Sequence, residues 1–156
     1  MREERGECKA RRRWAGTRAC LRGRPHGSLA PMTPEWNRLR ALALDEVEAT
    51  LTELPGPLRL EARKLPITCE RRPSRARQAD GVAADTLGLF VGPDYADRAL
   101  SASPVPPQII LYLENLWERA EGEEEFFLDE VHTTLLHELG HYLGLDEEGL
   151  SERGLE

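Results

Sequence analysis

Residues 128–143 constrain this chain more tightly than any other stretch, because they read as one helix with two chemically different sides. At about 100° per residue, with His137 at zero, Leu128, Val131, Leu135, Leu139 and Tyr142 fall between about 120° and 200°. Leu136 and Leu143 widen that apolar side. His141 falls near 40° and Glu138 near 100°, with Glu130, Thr133 and Thr134 on the same broad side. A segment of this kind is stable only with one side buried, and it then presents the other to a cleft.

On that cleft side, His137 and His141 stand one turn apart, so their imidazoles can meet at a common point. Two neutral imidazoles at this spacing suit a tetrahedral zinc ion, with nitrogens about 2.0–2.1 Å from the metal. Glu138 lies one step round, where a carboxylate serves as the base toward a water that the ion polarises. A five-residue match alone is weak, since an acidic chain can place His-Glu-x-x-His on a solvated face with no metal. Gly144 strengthens it. A glycine after the last patterned turn takes the left-handed conformation that ends a helix and reverses the chain. The reversed chain can return a third ligand, and Glu147 follows six residues after His141, with Asp146 its immediate competitor.

His137, Glu138, His141, Gly144 and Glu147 together resemble the extended zincin signature, in which a glycine turn precedes the third ligand. The stretch Leu135–Glu147 is most similar to the small acidic zincin-like metallopeptidases of bacteria, the minimal zincins, and the resemblance covers residues 32–156. It implies zinc as cofactor, His137, His141 and Glu147 as ligands, and Glu138 as general base of a peptidase. The chain departs from the large metzincins by having no histidine at 147 and no methionine after the motif.

Composition narrows the remaining classes. The chain has 156 residues and a formal charge of −7, and residues 32–156 carry twelve basic and twenty-five acidic side chains, near −13. Such a surface disfavours general binding to nucleic acid phosphates. Residues 1–31, with nine basic and three acidic side chains, lack helical or strand periodicity and read as a disordered basic leader, or as translation from a wrongly assigned start before Met32. Cys8, Cys20 and Cys69 form neither a ligand cluster nor a disulfide framework. No apolar run reaches membrane-spanning length, and a cytoplasmic location follows by default.

From Thr33 the periodicity becomes regular. Thr33 caps, and Pro34 and Glu35 open, a helix on which Trp36, Leu39, Ala43, Val47, Thr50 or Leu51, and Leu54 recur. Pro55-Gly56-Pro57 ends it. Leu58, Leu60 and Ala62 alternate with Arg59, Glu61 and Arg63, predicting a half-exposed strand. Pro66 restricts any continuation to an edge or irregular path, and residues 70–85 read as a surface loop. A short strand lies within 85–92, where Gly88 is an isolated glycine between apolar residues. Residues 93–107 read as a long connection bordering the cleft, in which Tyr95 is a candidate donor to a reacting carbonyl. Gln108–Leu113 has strong β character, Leu116–Arg119 adds a turn of helix, and Glu121, Glu123, Glu124 and Glu125 suit the positive end of the helix that follows.

The order of elements predicts an α+β domain, a small mixed or antiparallel sheet packed beside the helix that carries His137 and His141. Ile109–Leu113 is the expected sheet edge for pairing a peptide or protein substrate through its backbone. Two rivals stand beside the peptidase: a catalytically silent zinc or peptide-binding domain, and a metal-free interaction domain that uses its acidic surface. Glu138 favours the enzyme, because a structural metal site has no need of it.

Overall fold

The computed structural model describes residues 34–97, 106–146 and 148, all within the compact unit Met32–Glu156. Eight elements follow in order: α1 Pro34–Glu53, α2 Gly56–Ala62, β1 Ile67–Glu70, α3 Arg75–Ala79, β2 Gly88–Val91, β3 Gln108–Tyr112, α4 Leu113–Arg119 and α5 Glu124–Tyr142. The fold is α+β, with a mixed three-stranded sheet packed against helices. Residues 1–31 and the Thr33 cap lie outside the described residues.

The periodic stripe of α1 is buried from Trp36 to Leu51, with both Thr50 and Leu51 in it, whereas Leu54 lies just past the helix and is half-buried. Those side chains pack with Phe127, Val131, Leu135, Leu139 and Tyr142 of α5, and with Leu113 and Leu116 of α4, in one core under the sheet. Thr50 contributes a polar contact as well. Its buried hydroxyl donates to Glu46 Oε1 at 3.2 Å and lies 3.0 Å from His132 Nδ1, linking α1 to α5. Phe127 is fully buried near the edge of the apolar side, whereas Leu143, expected inside, is 41% exposed. Leu143 is the C-cap of α5, beyond the reach of the core.

Residues 56–62 form a helix rather than the expected strand. Pro57 falls in the first turn, where its fixed φ favours helix, and Leu, Arg, Glu and Ala are good helix formers. The helical spacing buries Ala62 and leaves Leu60, an inward residue under strict alternation, 67% exposed. The stretch 70–85 likewise holds a short helix, α3, whose Ser74 cap accepts from the Arg77 amide at 3.3 Å. β1, directly after Pro66, is an edge strand as the proline requires.

The sheet order is β1-β3-β2, with β1 parallel and β2 antiparallel to β3. Residues 109–112 are therefore in the centre of the sheet and Leu113 opens α4, so Ile109–Leu113 is not the edge. Ile109, Ile110, Leu111 and Tyr112 are all fully buried, which explains the strong apolar run: it marks a strand flanked on both sides. The edge beside α5 is β2. The Tyr112 amide donates to the Leu87 carbonyl at 2.9 Å. Since bonding alternates along an antiparallel pair, Leu89 also faces β3, while the backbone groups of Gly88 and Phe90 turn to the open side.

Candidate active site

α5 and the β2 edge build the site between them. His137 and His141 are half-buried on α5, with Nε2 atoms 3.0 Å apart and rings at 81°. Two nitrogens sharing a tetrahedral zinc at about 2.0–2.1 Å stand roughly 3.3–3.4 Å apart, so a small ring movement fits the pair to that ion. The His141 orientation is set by its other nitrogen. Nδ1 lies 3.2 Å from the Leu145 carbonyl, and an Nδ1–H donated there leaves Nε2 with its lone pair for a metal.

The carbonyl of Leu145 reaches His141 because of Gly144. Gly144 has φ +82°, in the left-handed region. Its amide donates to His141 O and that of Leu145 to Gly140 O, each at 3.0 Å. This pair of bonds is the Schellman arrangement, and it reverses the chain after α5 as the glycine predicts.

Glu138 is 6% exposed, pressed between α5 and β2. The Phe90 amide donates to its Oε2 at 2.6 Å, so the open edge of β2 holds the carboxylate. Gly88 makes that approach possible. A Cβ there would meet Thr134 Cγ2 at 2.5 Å and both Cγ and Oε1 of Glu138 at 2.9 Å. Two hollows adjoin along this seam, one bordered by Leu89, Phe90 and His141, the other by Leu87, Thr133 and Thr134; Gly88, His137 and Glu138 border both. The strand is steadied from α4, where buried Asn115 donates to the carbonyls of Ala84 at 2.9 Å and Thr86 at 2.7 Å.

His137, Glu138 and His141 thus come together. Among the described residues no third His, Cys, Asp or Glu joins the two histidines in a metal-holding group. Glu147 lies outside the described residues, and its competitor Asp146 is exposed. Tyr95 sits on the loop after β2, its amide donating to the Tyr142 carbonyl at 2.7 Å and its ring edge-on to Tyr142. Tyr142 belongs to the apolar side of α5, and Tyr95 thus helps fasten the loop to the end of that helix. Cys69 is a half-buried free thiol on β1, and burial pushes its pKa up to about 11. The sequence reading missed the Phe90 amide, the Leu145 carbonyl and Asn115. Backbone groups leave no mark in a sequence, but an isolated glycine inside a strand signals close backbone approach, and Gly88 is that signal.

Residues 62–155 match the sequence signature of the zincin-like metallopeptidases, a zinc-dependent family. No curated protein matches the chain. The matched region spans the sheet, α4, α5 and the residues that follow, including the His-Glu-x-x-His helix and its glycine turn. The chain belongs to the zincin-like metallopeptidase family.

Proposed function

We propose that the protein is a zinc peptidase in which His137, His141 and Glu147 hold the metal and Glu138 is the general base. The observation that carries this reading is the convergence of the two Nε2 atoms beside a carboxylate gripped by the β2 edge. Zinc, when bound, polarises the scissile carbonyl and lowers the pKa of water from 15.7 toward about 7. Glu138 accepts the proton of the attacking water and later delivers it to the departing amine. The Phe90 amide keeps the carboxylate from rotating away, and the Leu145 carbonyl keeps His141 in the tautomer that a metal needs. An extended peptide lies along the open side of β2 and pairs with the carbonyls of Gly88 and Phe90. With a carboxylate as third ligand, the site is less positive than one of three histidines, and a weaker Lewis acid. No helix among the described residues is long and apolar enough to cross a membrane.

Zinc content and peptide cleavage, measured on the same preparations, test the assignment. The intact protein should carry about one zinc per chain, as a site with three protein ligands requires. Glu138→Gln should keep the zinc and lose about 10²–10⁴-fold in rate. Glu147→Ala should lose zinc and activity together, while Asp146→Ala retains more zinc. An undiminished rate in Glu138→Gln removes the base, and zinc loss confined to Asp146→Ala moves the third ligand. Stoichiometric zinc with no cleavage of any peptide in a broad library favours the silent binding domain.

A further inference from the structure

The hollow that leads away from Glu138 along α5 ends at a guanidinium with unused donors. It has a volume of about 270 Å³ and is bordered by Leu87, Gly88, Thr133 and Thr134, with His137 and Glu138 at one end and Arg119 and Glu130 at the other. That is room for one side chain rather than for a larger ligand, whose pockets run to about 300–1,000 Å³. Arg119 closes α4 and its side chain is 64% exposed; its Nε donates to Glu130 Oε1 at 3.4 Å. Neither of its Nη nitrogens makes a hydrogen bond or ion pair among the described residues.

We propose that Arg119 is a specificity-determining residue that selects peptides with a glutamate side chain in this hollow, next to the bond being cut. The proposal rests on the peptidase reading above. Glu130 alone would favour a basic side chain, but Arg119 already faces it and neutralises it. A guanidinium has five donors in a planar fork. Nε serves Glu130, and the two Nη atoms remain to grip a second carboxylate in the two-pronged manner that arginine favours. An incoming ammonium would have to displace Arg119 and approach a cation. Apolar walls from Leu87 and the threonine methyl groups suit the methylenes of the guest.

Length sets the choice between the two acidic residues. Glu130 and His137 are seven positions apart on α5, about 10 Å at 1.5 Å per residue. A side chain starting beside Glu138 must cross much of that distance, and the extra methylene of glutamate carries its carboxylate toward Arg119 and away from Glu138. Aspartate stops nearer the like charge.

The test uses fluorescein-labelled decapeptides differing only at one position (Glu, Asp, Gln, Leu or Lys), with the zinc-loaded full chain. Binding is read by stopped-flow anisotropy, before turnover, and cleavage is read separately on the same peptides. The Glu peptide should bind about 3-fold tighter than the Gln peptide, the scale of an ion pair made by an exposed arginine. Asp should fall between them. Arg119→Gln should abolish the preference, Arg119→Lys should retain part of it, and Arg119→Glu should favour Lys. Equal binding of Glu and Gln peptides, tighter binding of Lys by the intact protein, or a Glu preference that survives Arg119→Gln would each overturn the proposal. If cleavage still depends on Glu138 in those cases, the peptidase reading stands. An Arg119-dependent Glu preference in binding with no cleavage of any peptide leaves the selective pocket and removes the peptidase. Absence of both binding and cleavage across the set overturns both.

Discussion

At the scale of single residues, Gly88 and Glu138 are one design. The strand carrying Gly88 can come close enough for the Phe90 amide to hold Glu138 only because position 88 has no Cβ. Gly88→Ala would drive a methyl group into Thr134, a buried β-branched residue with little freedom to turn. The strand must lift, at a cost of about 1–3 kcal/mol for overpacking, and it takes the Phe90 amide with it. We expect cleavage to fall by more than about 10-fold, since a misplacement of about 1 Å can cost about 10²-fold, while zinc content remains close to that of the intact protein. Chemical denaturation and the cleavage assay together check this; unchanged activity would mean that the grip on Glu138 is incidental. Arg119 carries the other residue-scale expectation, a preference for glutamate that follows its charge.

At the scale of elements, α5 is held from two sides that do different things. β2 covers Glu138, and α1 supports the opposite flank through its apolar stripe and Thr50. Thr50 is 1% exposed and touches both Glu46 and His132. Thr50→Val keeps the shape and removes the hydroxyl, so the two partners lose a link between α1 and α5. Stability should fall by about 1 kcal/mol, the net worth of such a bond, visible as a lower denaturation midpoint at unchanged slope. Cleavage at a temperature well below the melting point should be unaltered, because His132 and Thr50 lie away from the histidine pair on the helix. A rate loss there without a stability loss would show that α1 steers the site instead of supporting it.

At the scale of the whole molecule, every described buried hydrophobic residue falls between Trp36 and Tyr142. A chain starting at Met32 should therefore keep its helical circular dichroism and its zinc stoichiometry, with a melting temperature close to that of the full chain. A marked drop in either would show that residues 1–31 contribute to folding. The exposed ion pairs, such as Arg38–Glu124 and Arg63–Glu48, each at 2.5 Å, contribute little individually, because such pairs are screened and hold flexible side chains, whereas Arg71–Glu114 at 2.6 Å is half-buried. The exception in kind is Arg71, whose guanidinium also lies over the Trp36 ring at 4.7 Å and so ties the end of β1 to α1.

Local chemistry was legible in the sequence wherever a side chain's spacing decided it. The two sides of α5, the pairing of His137 with His141, the nearby Glu138 and the reversal at Gly144 all follow from the helical repeat and from glycine's freedom at positive φ. The same holds for the stripe of α1. Pairing order was not legible. An apolar run such as Gln108–Tyr112 reads alike at an edge or in the centre, and only its neighbours β1 and β2 decided that it is central and that β2 is the edge beside Glu138. Leu58–Ala62 shows the same limit: three alternating apolar residues fit a strand, but the prolines before them and the place available against α1 made a helix. The grips on Glu138 and His141 come from a backbone amide and a carbonyl, groups every residue shares, so their roles are set by tertiary approach alone.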